Sequence, residues 1–446
     1  MQYQVNRLKL DNGAEGLIVD IPNAVSVYST LGFAGGYDAM ADYLHKHQTP
    51  HILEHVSLYT AGYSEHLMTE LQKRGAIANA STDTINITYI AQTPTYDFAR
   101  VLDLDAQIFE RPAATPELVE LEKKNITSEL KARLENGSYW LRHTFRTYLG
   151  HHSLQATDAI ATLDNITFED IQEYRAQSFT TDNLRFIIAG DFNGDLTVVD
   201  RLRQLDLPRG KRFQYNLPVV EDGTKYRFEV RPHVKTITAG LGFALRRPLT
   251  IRDALICDII RYLLFVNCSS HVFNIAHNKG WSSYVTAIRL DHYSNITLPL
   301  GIIFKSSAGN LTNMIQLISQ ALNELGRGEL PEVEAELERI KCNLVGKKLM
   351  AYETPKDIAN ALYIRYFATG EVVDLNAAPE VIKSITLGDI QQLARELTSS
   401  PLRMVGLFGD ITEADAAAAA ATLDAALKSR PRRVGLPTNR GDAAGR

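Results

Sequence analysis

The chain has 446 residues, 45% of them hydrophobic and 22% charged, which excludes a disordered or fibrous protein and leaves room for two or three cores. A net charge of −5 offers nucleic acid no general attraction, and no apolar run reaches the roughly 18 residues that cross a bilayer. Three cysteines, Cys257, Cys268 and Cys342, show no CxxC spacing, so neither a disulfide framework nor a cysteine metal site is expected.

In chain order, the opening MQYQVNRLKL lacks the apolar core of a signal peptide, and a cytoplasmic protein without nucleic-acid or membrane partners is the expectation. GLIVDI (16–21) reads as a strand. TPHILEH (49–55) reads as the start of a helix, with Thr49 as a cap and Pro50 in the first position. At 3.6 residues per turn His51 and His55 share a face and Glu54 adjoins it, so two imidazoles can converge on one cation. The same letters also describe a polar helical stripe, beside His45 and His47. ITYIA (87–91) is a further strand, and 115–135 a long helix. That helix carries Glu122 and Glu129, two turns apart and therefore on one side; a solvated face laced with Glu/Lys pairs is the plainer reading.

A repeat then emerges. NITFEDIQEYRAQ (165–177) returns as SITLGDIQQLARE (384–396), with Ile166, Thr167, Asp170, Ile171 and Gln172 each matched 219 positions later. LRFIIAGDF (184–192) returns as LRMVGLFGDI (402–411), where Gly190 and Asp191 align on Gly409 and Asp410 at the same offset. Thr167 and Thr386 read as helix caps, with Asp170 and Asp389 completing each cap, and a buried strand follows each helix. The second copy adds strands at 237–245 and 295–304 and helices at 310–325 and 412–427. Two homologous α+β sandwich domains are expected, each a largely antiparallel sheet with helices on one face. The first spans 1–206 and the second 227–428, joined by a linker at 207–226 and followed by a disordered tail at 429–446.

These pieces together resemble the inverted (HxxEH) zinc peptidases of the pitrilysin, insulin-degrading enzyme and mitochondrial processing peptidase family. HILEH is followed 74 residues later by Glu129, with Glu122 seven positions before it. RGAIANASTDTINITYI (74–90) is similar to the family's strand edge beside the metal, and LGFAGGYDA to the strand and turn before the histidine helix. SSHVFNIAHNKGWSSYV (269–285) is similar to the segment that brings an arginine and a tyrosine over the active site. Three departures stand out. His277 occupies the arginine position seven before Tyr284, His271 follows Ser270 where arginine is common, and YLHKHQTPH lacks the family's small-residue lead. The second half has no HxxEH, and the residue 219 after Glu129 is Lys348, which could not replace a carboxylate ligand.

The resemblance implies a zinc ion on His51, His55 and Glu129, with Glu54 as general base and Tyr284 sharing the charge on the oxyanion. Glu122 would orient a ligand histidine. Asn79, Ala80 and Ser81 would take an extended peptide substrate as an added strand, with His277 nearby. The implied activity is endoproteolysis of unstructured peptides or processing of a precursor. A chain of this length is half a clamshell, so a homodimer or a heterodimer with a related subunit is implied. The competing reading is a scaffold subunit that kept the fold without the chemistry.

Overall fold

The computed structural model describes residues 3–215, 217–282, 284–290 and 296–428, so the expected disordered tail lies outside the described residues. The first half contains strands β1 (Gln4–Lys9), β2 (Glu15–Asp20), β3 (Ser26–Ala34), β4 (Ile77–Thr82), β5 (Asn86–Pro94) and β6 (Leu184–Gly190). Its helices are α1 (Thr49–Ser57), α2 (Leu67–Lys73), α3 (Phe98–Glu110), α4 (Pro116–Arg133), α5 (Gly137–Tyr148), α6 (Ala156–Thr162), α7 (Phe168–Ser178) and α8 (Asp200–Arg203). The second half contains β7 (Gly223–Val230), β8 (Ile237–Leu245), β9 (Tyr284–Leu290), β10 (Thr297–Ser306) and β11 (Leu402–Gly409). Its helices are α9 (Ile251–Leu264), α10 (His271–Asn278), α11 (Leu311–Arg327), α12 (Val333–Met350), α13 (Pro355–Thr369), α14 (Ala378–Ser384), α15 (Leu387–Ser399) and α16 (Glu413–Lys428). No helix among the described residues is long and apolar enough to cross a membrane.

The two sheets share one topology. The first runs β1-β2-β6-β3-β5-β4 and the second β7-β11-β8-β10-β9, so the second repeats the first without β1. In each, one pair is parallel, β2 with β6 and β7 with β11, and the remaining pairs are antiparallel. The duplicated α+β sandwich read from the 219-residue repeat is the fold the chain adopts. Thr167–Asp170 and Thr386–Asp389 both close reciprocal caps, satisfying amide groups that a helix start otherwise leaves open.

The sequence placed helices on one face of each sheet, and each half's own helices do cover one face. The opposite face is covered by a helix from the other half. Side chains alternate along a strand, so β6 sends Phe186 and Ile188 into the core of its own half and Ile187 and Ala189 to the other side. There they meet Ile358, Ala359, Leu362, Tyr366 and Phe367 of α13. Reciprocally, Trp140, Leu141 and Phe145 of α5 pack against Leu298, Met404 and Phe408 of the second sheet. This exchange explains why LRFIIAG is buried at every position.

Close approach of the exchanged helices needs strand glycines. A Cβ at Gly406 would sit 2.5 Å from Leu141 Cδ2, and one at Gly32 would sit 2.4 Å from Phe367 Cε1. Arg185 of β6 adds a polar tie, its Nη1 donating to the carbonyls of Tyr366 (2.7 Å) and Phe367 (2.9 Å) near the end of α13. Leu141 is fully buried in this interface. Leu141→Ala should therefore destabilise the protein by about 2–5 kcal/mol in denaturant unfolding, with both halves losing structure together. A loss below about 1 kcal/mol would mean that α5 is not a principal tie between the halves.

Candidate metal centre

The HILEH segment lies on α1, whose buried residues include His51 and Glu54. The helix begins at Thr49 with Gln48 in the cap position, one residue earlier than the sequence suggests. Thr49 is not the cap because its hydroxyl turns back and donates to the Lys46 carbonyl at 2.7 Å. Pro50 sits in the first turn as expected, where its missing N–H costs no helical bond.

α4 crosses beside α1 and brings Glu129 to both histidines. Glu129 Oε2 lies 3.5 Å from His51 Nε2 and 3.9 Å from His55 Nε2, and the three ligand atoms fall within 4.8 Å of one another. A tetrahedral ion with bonds of roughly 2.0–2.1 Å separates its ligand atoms by roughly 3.3 Å, so the group needs little movement to hold one. The other oxygen of Glu129 is held by the Arg133 guanidinium one turn on, which leaves Oε2 toward the histidines. His51 beside it, with Arg133 and His55 adding, holds the Glu129 carboxyl at about 2 despite its desolvation.

Each histidine is fixed from its far nitrogen. His55 Nδ1 lies 2.8 Å from Glu122 Oε2, and His51 Nδ1 lies 3.0 Å from Gln48 Oε1. When Nδ1–H donates to these oxygens, each Nε2 carries its lone pair toward Glu129, the tautomer a metal needs. Glu122 is buried and also accepts from Tyr59 (3.1 Å) and Asn125 (3.1 Å). Burial pushes its carboxyl up, but these donors outweigh that and hold it below the ordinary range. Gln48 continues inward, its Nε2 meeting His47 Nδ1 at 2.9 Å while His47 Nε2 meets the His152 carbonyl at 2.7 Å. The polar approach to the motif thus forms a buried chain behind His51.

Glu54 is 6% exposed, and burial raises its carboxyl pKa against the pull of the two histidines. Thr82 Oγ1 donates to its Oε2 at 2.7 Å. Thr82 ends β4, which also carries Asn79, Ala80 and Ser81 and, among the described residues, pairs with β5 alone. The open edge therefore lies beside Glu54.

The second-half residues lie on other elements. Tyr284 begins β9, itself an edge strand, with its ring 5.9 Å from Lys305 Nζ. His277 stacks on Phe273 in α10 at 5.9 Å. Neither makes a hydrogen bond or ring contact with α1 or α4 among the described residues. Gln48, Tyr59, Thr82, Asn125 and Arg133 were not singled out from the sequence. Thr82, directly after Asn79–Ser81, and Arg133, one turn after Glu129, had positional signals; the others depend on packing.

Two family models match the chain, "Insulinase (Peptidase family M16)" over residues 45–155 and "Peptidase M16 inactive domain" over residues 165–344. No curated protein matches it. Among solved structures, a protease from Helicobacter pylori is 18% identical with a TM-score of 0.78, over 92% of this chain and 100% of that one. A chain of Complex III2 from Candida albicans, with Inz-5 bound, is 14% identical with a TM-score of 0.77, over 94% and 100%. A peptidase M16 inactive domain from Pseudomonas fluorescens is 14% identical with a TM-score of 0.76, over 92% and 98%. At these identities the structures establish a shared fold, and the two family matches in order along the chain carry the rest: this protein belongs to the insulinase family of peptidases, M16.

Proposed function

We propose that the chain is a zinc-dependent endopeptidase that cuts unstructured peptides or processes a precursor peptide. The observation that carries this reading is the convergence of His51 Nε2, His55 Nε2 and Glu129 Oε2 with the buried carboxylate of Glu54 beside them. Two imidazoles and one carboxylate suit zinc and leave a fourth position open. Zinc held there would supply Lewis acidity toward a peptide carbonyl and would acidify a water toward neutrality.

Glu54 would accept the proton of the attacking water as the water oxygen adds to the carbonyl carbon, and would pass it to the amine nitrogen as the C–N bond breaks. Thr82 donates to Oε2, while Oε1 accepts no hydrogen bond among the described residues and can take the proton. Glu122 and Gln48 hold the two rings in place throughout. The substrate backbone adds along Asn79, Ala80 and Ser81, where β4 has no outer neighbour among the described residues. Strand addition selects for extension, which favours unfolded peptides. Tyr284 and His277 would join the site only in a closed form, in which the two halves and a partner chain enclose the cleft.

A second reading has an observation of its own. Among the described residues no hydrogen bond or ion pair joins the second half to His51, His55 or Glu129, and His277 is a weaker partner for a carbonyl oxygen than a guanidinium. A catalytically weak subunit of a heterodimer would look this way.

Metal analysis is the first test. The purified chain should carry about one zinc per chain, and His55→Ala should strip it without unfolding the protein. Full zinc retention by that variant sinks the ligand assignment. Glu54→Gln should keep the zinc yet lower turnover of a fluorogenic peptide by about 10²–10⁴-fold. Turnover within a few-fold of the parent removes Glu54 from the mechanism, and a zinc-loaded parent without turnover favours the silent-subunit reading. Light scattering should show a dimer that cuts short peptides and spares folded proteins. A monomer that degrades both equally fast would falsify the enclosed cleft.

A further inference from the structure

The two imidazoles of the candidate metal centre are backed by different chemistry. His55 Nδ1 meets Glu122, an ionised carboxylate that can only accept, so this ring offers Nδ1–H and keeps Nε2 bare. His51 Nδ1 meets the side-chain amide of Gln48, which carries an acceptor at one corner and a donor at the other. Turned one way, the amide leaves His51 Nε2 bare for a metal; turned the other way, it puts a proton there. Glu129 Oε2, 3.5 Å from that nitrogen, draws the proton toward it in a metal-free chain. A group behind Gln48 has to set the direction.

The far end of the hydrogen-bond chain supplies it. His47 Nε2 lies 2.7 Å from the backbone carbonyl of His152, which has no proton to give, so Nε2 carries the hydrogen. Burial pushes the His47 imidazole down to about 4, so near neutral pH the ring holds one proton and its Nδ1 is a bare acceptor. Gln48 Nε2, 2.9 Å away, donates to it, which turns Gln48 Oε1 toward His51 and calls for Nδ1–H there at 3.0 Å. Reversing the amide would set two acceptors face to face at 2.9 Å in a buried site. His47 and Gln48 are each 2% exposed, so bulk water cannot satisfy the reversed amide.

The end of the chain is itself fixed. The His152 N–H donates to Asp38 Oδ1 at 2.8 Å, and Asp38 Oδ2 lies 2.8 Å from His151 Nδ1. Tyr37 stacks on the His47 ring, with centroids 4.5 Å apart and planes 7° apart, which sets the plane of the imidazole.

We propose that His47 is a positioning residue for the candidate metal centre: acting through Gln48, it fixes His51 as the Nδ1–H tautomer and aims the Nε2 lone pair at the metal position. Its consequence for metal binding rests on the reading of His51 as a ligand; the order of the hydrogen bonds does not. HKHQTP (45–50), where the chain departs from the small-residue lead of its family, thereby supplies the support of one ligand.

Long-range proton–nitrogen correlation spectra of the metal-free full chain, isotope-labelled at histidine and assigned by the signals lost in His51→Gln, read the tautomer directly. At about pH 8 the parent should show His51 with a protonated Nδ1 and a bare Nε2. His47→Phe keeps a ring against Tyr37 but offers Gln48 no acceptor, so the amide can turn and both His51 nitrogens should move toward averaged shifts. Zinc affinity measured by chelator competition should fall about 10–100-fold, the usual scale for losing an outer partner of a ligand. Adding Gln48→Glu to His47→Phe restores a group that only accepts, and should return the His51 tautomer and most of the affinity. A purely structural loss at His47 would not be repaired this way. An Nε2–H tautomer in the parent, a His51 spectrum unmoved by His47→Phe, or no recovery in the double variant overturns the proposal. If His47→Phe does not fold, Gln48→Met decides, since it keeps the shape and removes both amide groups: His51 nitrogens unmoved in that variant overturn the proposal. A parent with the expected tautomer that binds no zinc supports the hydrogen-bond chain and overturns the ligand reading instead.

Discussion

Both sheets are hydrophobic on both faces, and each half has enough helices of its own to cover only one. The rest of the architecture follows from this constraint. The exposed face of each sheet is closed by a helix from the other half, α13 on the first sheet and α5 on the second. Burial of Leu141, Phe145, Leu362 and Phe367 in this way makes the two halves one cooperative object, because neither sheet is complete without its neighbour's helix.

The exchange also reaches the candidate metal centre. α5 starts at Gly137, four residues after α4 ends at Arg133. Arg133 is held between Glu129 and the Tyr139 ring, whose centroid lies 5.2 Å from the guanidinium carbon. Packing of α5 on the second sheet thus anchors the end of the helix that presents Glu129. The second half thereby supports the position of one member of the centre.

Duplication gave the two halves the same frame and left their side chains free to diverge. In the first half α1 and α4 meet through two imidazoles and a carboxylate, which attract a cation. In the second, α9 and α12 meet through Asp258 and Lys348, a carboxylate and an ammonium that offer no such ligand set. A frame that places helix faces opposite each other does not dictate which side chains meet there, so one topology holds different chemistry in its two halves.

The sequence alone determined the features that depend on local order. The 219-residue offset, the Thr-Asp caps and the i, i+4 spacing of His51 and His55 follow from chain geometry, so the duplicated fold and the pairing of Glu122 with Glu129 on one helix face were legible. Thr49 was misplaced by one residue because the sequence does not show which way a hydroxyl turns, and here it turns toward Lys46. Tertiary structure alone decided the helix exchange, because an all-apolar strand such as LRFIIAG says that both faces are covered but not by what. It also decided that Gln48 backs His51 and that Thr82 holds Glu54. Those contacts join residues whose separation along the chain carries no period, and only packing of the two sheets and their helices brings such residues together or keeps them apart.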